Sequence, residues 1–162
     1  MGFADPAAVS QRFDLGRHCY IGRCEGQPVT YGWITFDEEV IGGLDLHVRL
    51  LPGEAYIWDC ATLPAYRSQG LYPALLAWMQ RELQRTGYQR IWIGMDAGNL
   101  PSQVGVARAG FQHVVDILQV RNAPARTFLA RPAPGALQKD VLAARYALFG
   151  DREASRITLP RT

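Results

Sequence analysis

The 162-residue sequence predicts an α/β protein built around a mixed sheet. Strand-like runs come first and helices interleave later, an order unlike a pure βαβ array. With 48% hydrophobic, 10% aromatic and 20% charged residues, the chain can bury a real core, and its length suits a single domain over 1–162. No apolar stretch approaches the roughly 20 residues that a membrane helix needs.

Asp5-Pro6 opens a short helix reaching Phe13, with an N-cap followed by proline at the first helical position. Cys19–Cys24 and Val29–Phe36 read as a hairpin parted by Glu25-Gly26-Gln27-Pro28, with Tyr31, Trp33, Ile34 and Phe36 as sheet formers. Leu44–Leu50 alternates apolar residues with Asp45, His47 and Arg49, the pattern of a half-exposed strand with His47 toward solvent. Pro52-Gly53 then turns the chain into the more apolar strand Ala55–Thr62. The clearest helix spans Gln69–Thr86, where Leu71, Leu75, Leu76, Met79 and Leu83 form one stripe. Pro73 falls in its first turn and Gly87 ends it. Arg90–Met95 follows as a buried strand and Asn99–Ala109 as a helix stopped by Gly110. Val114–Arg121 and Thr127–Leu129 are the last strands, with a turn around Pro124. A final amphipathic helix, over residues 134–149, carries Leu137, Val141, Ala144 and Leu148.

Charge and cysteines exclude several functions. The net charge of +2 comes from 17 basic and 15 acidic residues without a basic cluster, which argues against a nucleic-acid partner. Met1–Asp14 has early acids and no apolar block after a basic start, so no signal peptide is read, and no membrane role. Cys19, Cys24 and Cys60 are odd in number with no CxxC, and His18 beside them matches no zinc spacing. Ordinary thiols in a cytoplasmic protein without structural disulfides or metal are expected.

The most informative segment is Leu63-Pro64-Ala65-Tyr66-Arg67-Ser68-Gln69-Gly70-Leu71-Tyr72, between an apolar strand and the best helix. A glycine there lets a ligand approach the backbone, and a helix start offers unpartnered N–H groups and a positive dipole end. Both suit phosphate, although a plain strand-to-helix turn has the same composition.

Here the chain resembles the GNAT superfamily of acyl-CoA-dependent N-acetyltransferases. Its signature is Arg or Gln, two residues, Gly, one residue, then Gly or Ala, and Arg67 through Gly70 fits, with Tyr72 at the second small position. Asn99, Ser102 and Gly110-Phe111 form a second mark, and the likeness spans about Tyr20–Val120. It implies a mixed, mostly antiparallel central sheet with splayed strands and flanking helices. It also implies acetyl-CoA as cosubstrate and a small-molecule or peptide amine as acceptor. The backbone of Cys60, Ala61 and Thr62 would meet the pantetheine arm beside a bulge, and Ser68, Gln69, Gly70, Leu71 and Tyr72 the pyrophosphate, flanked by Arg67 and Pro73. Asn99 and Ser102 match positions along the lower part of the cofactor, and Asn99 doubles as a helix N-cap.

Departures from the family concern the protons. Its usual acid is a tyrosine seven residues after the asparagine, here Val106; its usual base positions hold Trp58 and Gly94. Asp59, a lone carboxylate in an apolar run, is the substitute base, with burial expected to raise its pKa, or else an aspartate hydrogen-bonded to backbone beside the bulge. Tyr56 is the substitute acid, and both it and Tyr31 read either as acids or as sheet aromatics; Asp96 and Cys60 are better explained by capping and packing. The N-terminal part is shorter than in the family, leaving the acceptor pocket open, completed by a partner subunit, or formed by the connection Asp37–Gly53. The final helix is an addition serving packing or homodimerisation. The leading reading is N-acetyl transfer; the alternative is an acyl-CoA-binding regulatory module without transfer.

Overall fold

The computed structural model describes residues 5–42, 44–120 and 127–150. In chain order the elements are α1 (Pro6–Asp14), β1 (His18–Cys24), β2 (Gln27–Thr35), β3 (Glu38–Ile41), β4 (Leu46–Arg49), β5 (Glu54–Thr62), a 3₁₀ turn (Pro64–Tyr66), α2 (Leu71–Arg85), β6 (Arg90–Ile93), α3 (Leu100–Arg108), β7 (Val115–Val120), β8 (Thr127–Pro132) and α4 (Gln138–Phe149). They fall into two compact units, Met1–Glu39 with Leu50–Phe111, and Val40–Arg49 with Gln112–Thr162. Among the described residues no helix is long and apolar enough to cross a membrane.

The first unit holds the central sheet, in the order β1-β2-β5-β6. The first two pairings are antiparallel and β5–β6 is parallel, so the sheet is mixed and mostly antiparallel, as expected. The β1–β2 turn is tighter than the sequence suggests. Glu25 and Gly26 both take positive φ, at 50° and 84°, which closes a two-residue hairpin and frees Gln27 and Pro28 to join β2. Ile34, Ala55 and Ile57 pack against Leu75, Leu76, Met79 and Leu83 of α2 and against Val106 and Ala109 of α3. Leu76 and Met79 are 0% exposed, and each such burial contributes roughly 1.5–3 kcal/mol. Glu54 is buried where β5 starts; its carboxylate accepts from Arg90 at 2.8 Å and from the Leu51 N–H at 3.2 Å, pinning the β5–β6 register.

In the second unit β7 and β8 form an antiparallel pair, and α4 packs on β4. The helix buries Val141, Ala144, Ala147 and Leu148, while Leu137 is its exposed N-cap and lies off the expected stripe. Asp116 receives Arg131 at 2.8 Å and His113 at 3.0 Å, and the Arg131 hydrogen bond holds its carboxyl below the ordinary value. His47 is half-buried with Nδ1 enclosed and unbonded among the described residues, rather than solvent-facing. The turn predicted around Pro124 lies outside the described residues.

Candidate active site

β5 outlasts its neighbour β6. The sequence suggests a strand to Met95, but β6 ends at Ile93 and pairs with β5 only as far as Ile57. Beyond that point β5 bulges. Trp58 pairs with Trp33 and Ala61 with Tyr31, so Asp59 and Cys60 together oppose Gly32. A Cβ on Gly32 would stand 2.8 Å from the Cys60 sulfur, so the glycine is what lets the bulge seat that thiol. Asp59 takes the left-handed φ of 41° that the bulge demands, which an aspartate tolerates better than most residues. Past the bulge, Thr30 Oγ1 donates to the Ala61 carbonyl at 3.0 Å, and Arg67 Nε donates to the Thr62 carbonyl at 3.1 Å.

The loop that follows has the shape of an anion cradle. Ser68 and Gly70 both take left-handed φ, at 61° and 76°. Gly70 is the N-cap of α2 and supplies no side-chain cap, and a Cβ built on it would meet nothing within 4 Å. The first-turn N–H groups of Leu71 and Tyr72 have no intrahelical partner, while Pro73 contributes none. With the helix dipole behind them, these groups fit a pyrophosphate. Gln69 bonds back to the Ala65 carbonyl at 3.1 Å and so braces the loop.

Tyr72, at the second small position of the motif, packs on α3. Its ring lies against Gly105 of α3, where a Cβ would come within 2.5 Å of Tyr72 Cδ1. Its hydroxyl meets Ser102 Oγ at 3.1 Å, and the Ser102 N–H donates to Asn99 Oδ1 at 3.2 Å. Asn99 is the N-cap of α3, so Asn99, Ser102 and Tyr72 form a polar chain joining the starts of α2 and α3. A large residue at the small position of the motif is accommodated by a glycine thirty-three residues downstream, a pairing that single-position reading passes over.

Of the proton-handling candidates, Tyr56 and Asp59 lie on β5. Val106 is buried in the core. Tyr56 is buried as well, and burial, followed by the charges of Glu39 and Cys60, pushes its phenol up to about 12. Its hydroxyl would stand 3.2 Å from a Cβ on Gly94, so the glycine at the end of β6 makes room for it. The expected burial of Asp59 is not found: its carboxylate is about one-third exposed. Oδ2 accepts from Arg12 Nη1 at 2.6 Å and Oδ1 from the Tyr31 hydroxyl at 3.3 Å, because the positive-φ bulge turns the side chain toward α1. Burial is the main reason that the Tyr31 phenol is raised, with Asp59 adding to it. Arg12 carries no signal in the sequence, since its partner is 47 residues away. Asp96 is exposed, and it is its backbone carbonyl that accepts from Asn99 and Gln103.

Cys60 is half-buried, and burial pushes its thiol up to about 12, with Asp59 as a smaller cause. Nucleophilic chemistry at this sulfur is therefore not expected near neutrality. Iodoacetamide at pH 8 should alkylate exposed Cys24 and leave Cys60 intact, as peptide mass mapping would show.

The sequence matches the acetyltransferase (GNAT) family over residues 5–111. No curated protein matches the chain. Among solved structures, aminoglycoside N-acetyltransferase AAC(6')-Iy, in complex with the bisubstrate analogue CoA-S-monomethyl-acetylneamine, superposes with a TM-score of 0.57 at 17% identity, covering 75% of this chain and 82% of that one. The aminoglycoside acetyltransferase meta-AAC0020 from an uncultured soil metagenomic sample, in complex with sisomicin, gives 0.55 at 10% identity, covering 77% and 78%. The aminoglycoside antibiotic 6'-N-acetyltransferase AAC(6')-IG from Acinetobacter haemolyticus gives 0.53 at 12% identity, covering 76% and 86%. At these identities the structures speak to the fold alone, and they share it with the splayed sheet described above. The family match spans most of the chain and takes in the bulged strand, the Gly70 loop and α3: the chain belongs to the acetyltransferase (GNAT) family.

Proposed function

We propose that this acetyltransferase moves an acetyl group from acetyl-CoA to a primary amine by direct attack within a ternary complex. The observation that carries the reading is the splay, where β5 runs on past Ile57 to Thr62 paired with β2 but no longer with β6, toward the exposed Gly70. An open strand edge at Cys60, Ala61 and Thr62 suits the amides of a pantetheine arm, added as a further strand. The N–H groups of Ser68 through Tyr72 suit the pyrophosphate, with Arg67 and Gln69 bracing the loop and Pro73 shaping the first turn. Asn99 and Ser102 border the lower cofactor through the first turn of α3.

Acetyl-CoA supplies an acyl group already activated as a thioester, so the protein's main task is positioning. The amine nitrogen attacks the carbonyl carbon, the C–S bond breaks, and the thiolate takes a proton from solvent. N–H groups near Cys60–Thr62 polarise the carbonyl. Tyr56 stays protonated through the working pH range and serves as a hydrogen-bond donor at the mouth of the splay. Asp59 takes the proton of the incoming amine, directly or through one water, once Arg12 has moved aside.

Release of the CoA thiol, followed over a panel of polyamines, amino sugars and short peptides, tests this reading. Asp59→Asn is expected to lower kcat/KM by about tenfold or more and to leave acetyl-CoA affinity unchanged. A smaller loss makes Asp59 a structural residue. If acetyl-CoA binds and no amine is acylated, the chain is a cofactor-binding regulatory module, the reading that Val106, Trp58 and Gly94 keep open.

A further inference from the structure

Arg12 stands where a ligand would. Its guanidinium carbon is 4.9 Å from the ring centre of Trp33 and 4.6 Å from that of Trp58. The two rings are 6.1 Å apart and tilted by 32°, and the open side of this box is closed by the Asp59 carboxylate. Two indole faces and one carboxylate around a cation is the arrangement by which proteins recognise ammonium groups.

The walls are cross-braced by hydrogen bonds, and the guest comes from a short helix whose Phe13 also packs on Trp33, with ring centres 5.1 Å apart. Trp33 is 3% exposed, and the Trp58 indole N–H donates to Thr35 Oγ1 at 2.9 Å. Thr35 in turn donates to Glu39 at 2.8 Å, and Glu39 is paired with Arg17 at 3.3 Å. Asp59 is fixed by the bulge and by the Tyr31 hydroxyl. Every wall of the box thus belongs to the sheet. Arg12 belongs to α1, a nine-residue helix that buries no residue completely, and a helix of that length has little stability of its own. Both charged side chains of the ion pair keep access to solvent, at 23% for Arg12 and 34% for Asp59.

We propose that the Trp33–Trp58–Asp59 box is a cation subsite for the amine acceptor, occupied in the resting protein by Arg12 as a stand-in. It rests on the acetyl-transfer reading and names the acceptor class: an alkylammonium or polyammonium compound, in preference to a neutral or anionic amine. The site lies on the stretch of β5 left open by β6, so an ammonium held there is delivered beside the strand edge proposed for the pantetheine arm. Arg12 keeps a partly exposed carboxylate and two indole faces satisfied until an acceptor competes for them.

The test is a titration of the full chain, labelled with ¹⁵N, with n-butylammonium chloride at constant ionic strength. The indole N–H signals of Trp33 and Trp58 are the readout, assigned through Trp33→Phe and Trp58→Phe. Arg12→Gln and Arg12→Ala are expected to bind n-butylammonium at least about tenfold more tightly than the wild type, with both signals shifting. The neutral isostere n-butanol should shift neither, and Arg12→Gln/Asp59→Asn should lose the binding. Arg12→Gln retains most of the stem that packs on the rings, so it guards against loss of α1 in the alanine variant. Equal affinity in wild type and Arg12→Gln, or equal response to n-butanol, overturns the subsite. Acetyl-CoA calorimetry on the same samples keeps the two proposals apart. Failure there removes the acetyl-transfer reading, whereas turnover with an unchanged KM for diamines in Arg12→Gln removes the cation subsite alone.

Discussion

Gly70→Glu is expected to remain folded and to lose at least about 100-fold in acetyl-CoA affinity. Gly70 takes a φ of 76° at the N-cap of α2, with open space where a side chain would project. A glutamate there puts a carboxylate into the volume proposed for the pyrophosphate, and like charges brought together cost several kcal/mol, of which about 3 correspond to 100-fold. The backbone contributes separately, because a left-handed conformation costs a non-glycine residue roughly 1–2 kcal/mol. Gly70→Ala isolates that second effect. It should lower stability by about 1 kcal/mol while keeping the affinity within about tenfold. Calorimetry with acetyl-CoA measures the binding, and urea unfolding the stability. Unchanged affinity in Gly70→Glu would place the pyrophosphate elsewhere.

Tyr72→Ala is expected to destabilise the protein by about 3 kcal/mol, the cost of removing a large aromatic ring from a packed site. The ring fills the space over Gly105, and its hydroxyl bonds to Ser102. Gly105→Ala approaches the same contact from the other side. Its Cβ would stand 2.5 Å from Tyr72 Cδ1, and overpacking of this kind costs about 1–3 kcal/mol. The double variant Tyr72→Ala/Gly105→Ala should be more stable than the sum of the single changes by at least about 1 kcal/mol, because the new methyl enters the vacated space. Urea denaturation of the four proteins closes the cycle. Strict additivity would mean that the ring and the glycine do not share a site. Since α2 and α3 meet through this contact, acetyl-CoA affinity should fall in Tyr72→Ala.

Much of the cofactor side was legible because it is local. A glycine between an apolar strand and an amphipathic helix announces its backbone geometry within a window of ten residues, from Leu63 to Tyr72. Asn99 could be read as an N-cap for the same reason, and its side chain does accept from the Ser102 N–H. Element ends were less legible. β6 stops at Ile93 although Gly94 and Met95 continue an apolar pattern, because its pairing with β5 ends at Ile57 and hydropathy alone does not report pairing. The short β3 escaped notice, since Glu38-Glu39-Val40-Ile41 is too brief to show a period.

The acceptor side was hardly legible at all. Asp59 reads in sequence as a carboxylate in an apolar run, which suggests burial. A bulge reverses that inference, because one extra residue in the strand sends the side chain to the face where Arg12 waits. Arg12 and Trp33 are two ordinary residues far apart in the chain, and nothing in their local pattern says that they meet. The mixed sheet, the order of the longer strands and helices, and the loop at Gly70 follow from periodicity and from residues with restricted backbone angles. Which residues face one another is a matter of assembly: Tyr72 with Gly105, Asp59 with Arg12, and Tyr56 with Gly94. Such pairs depend on register and on the splay of β5 from β6, properties of the assembled sheet that no single strand encodes.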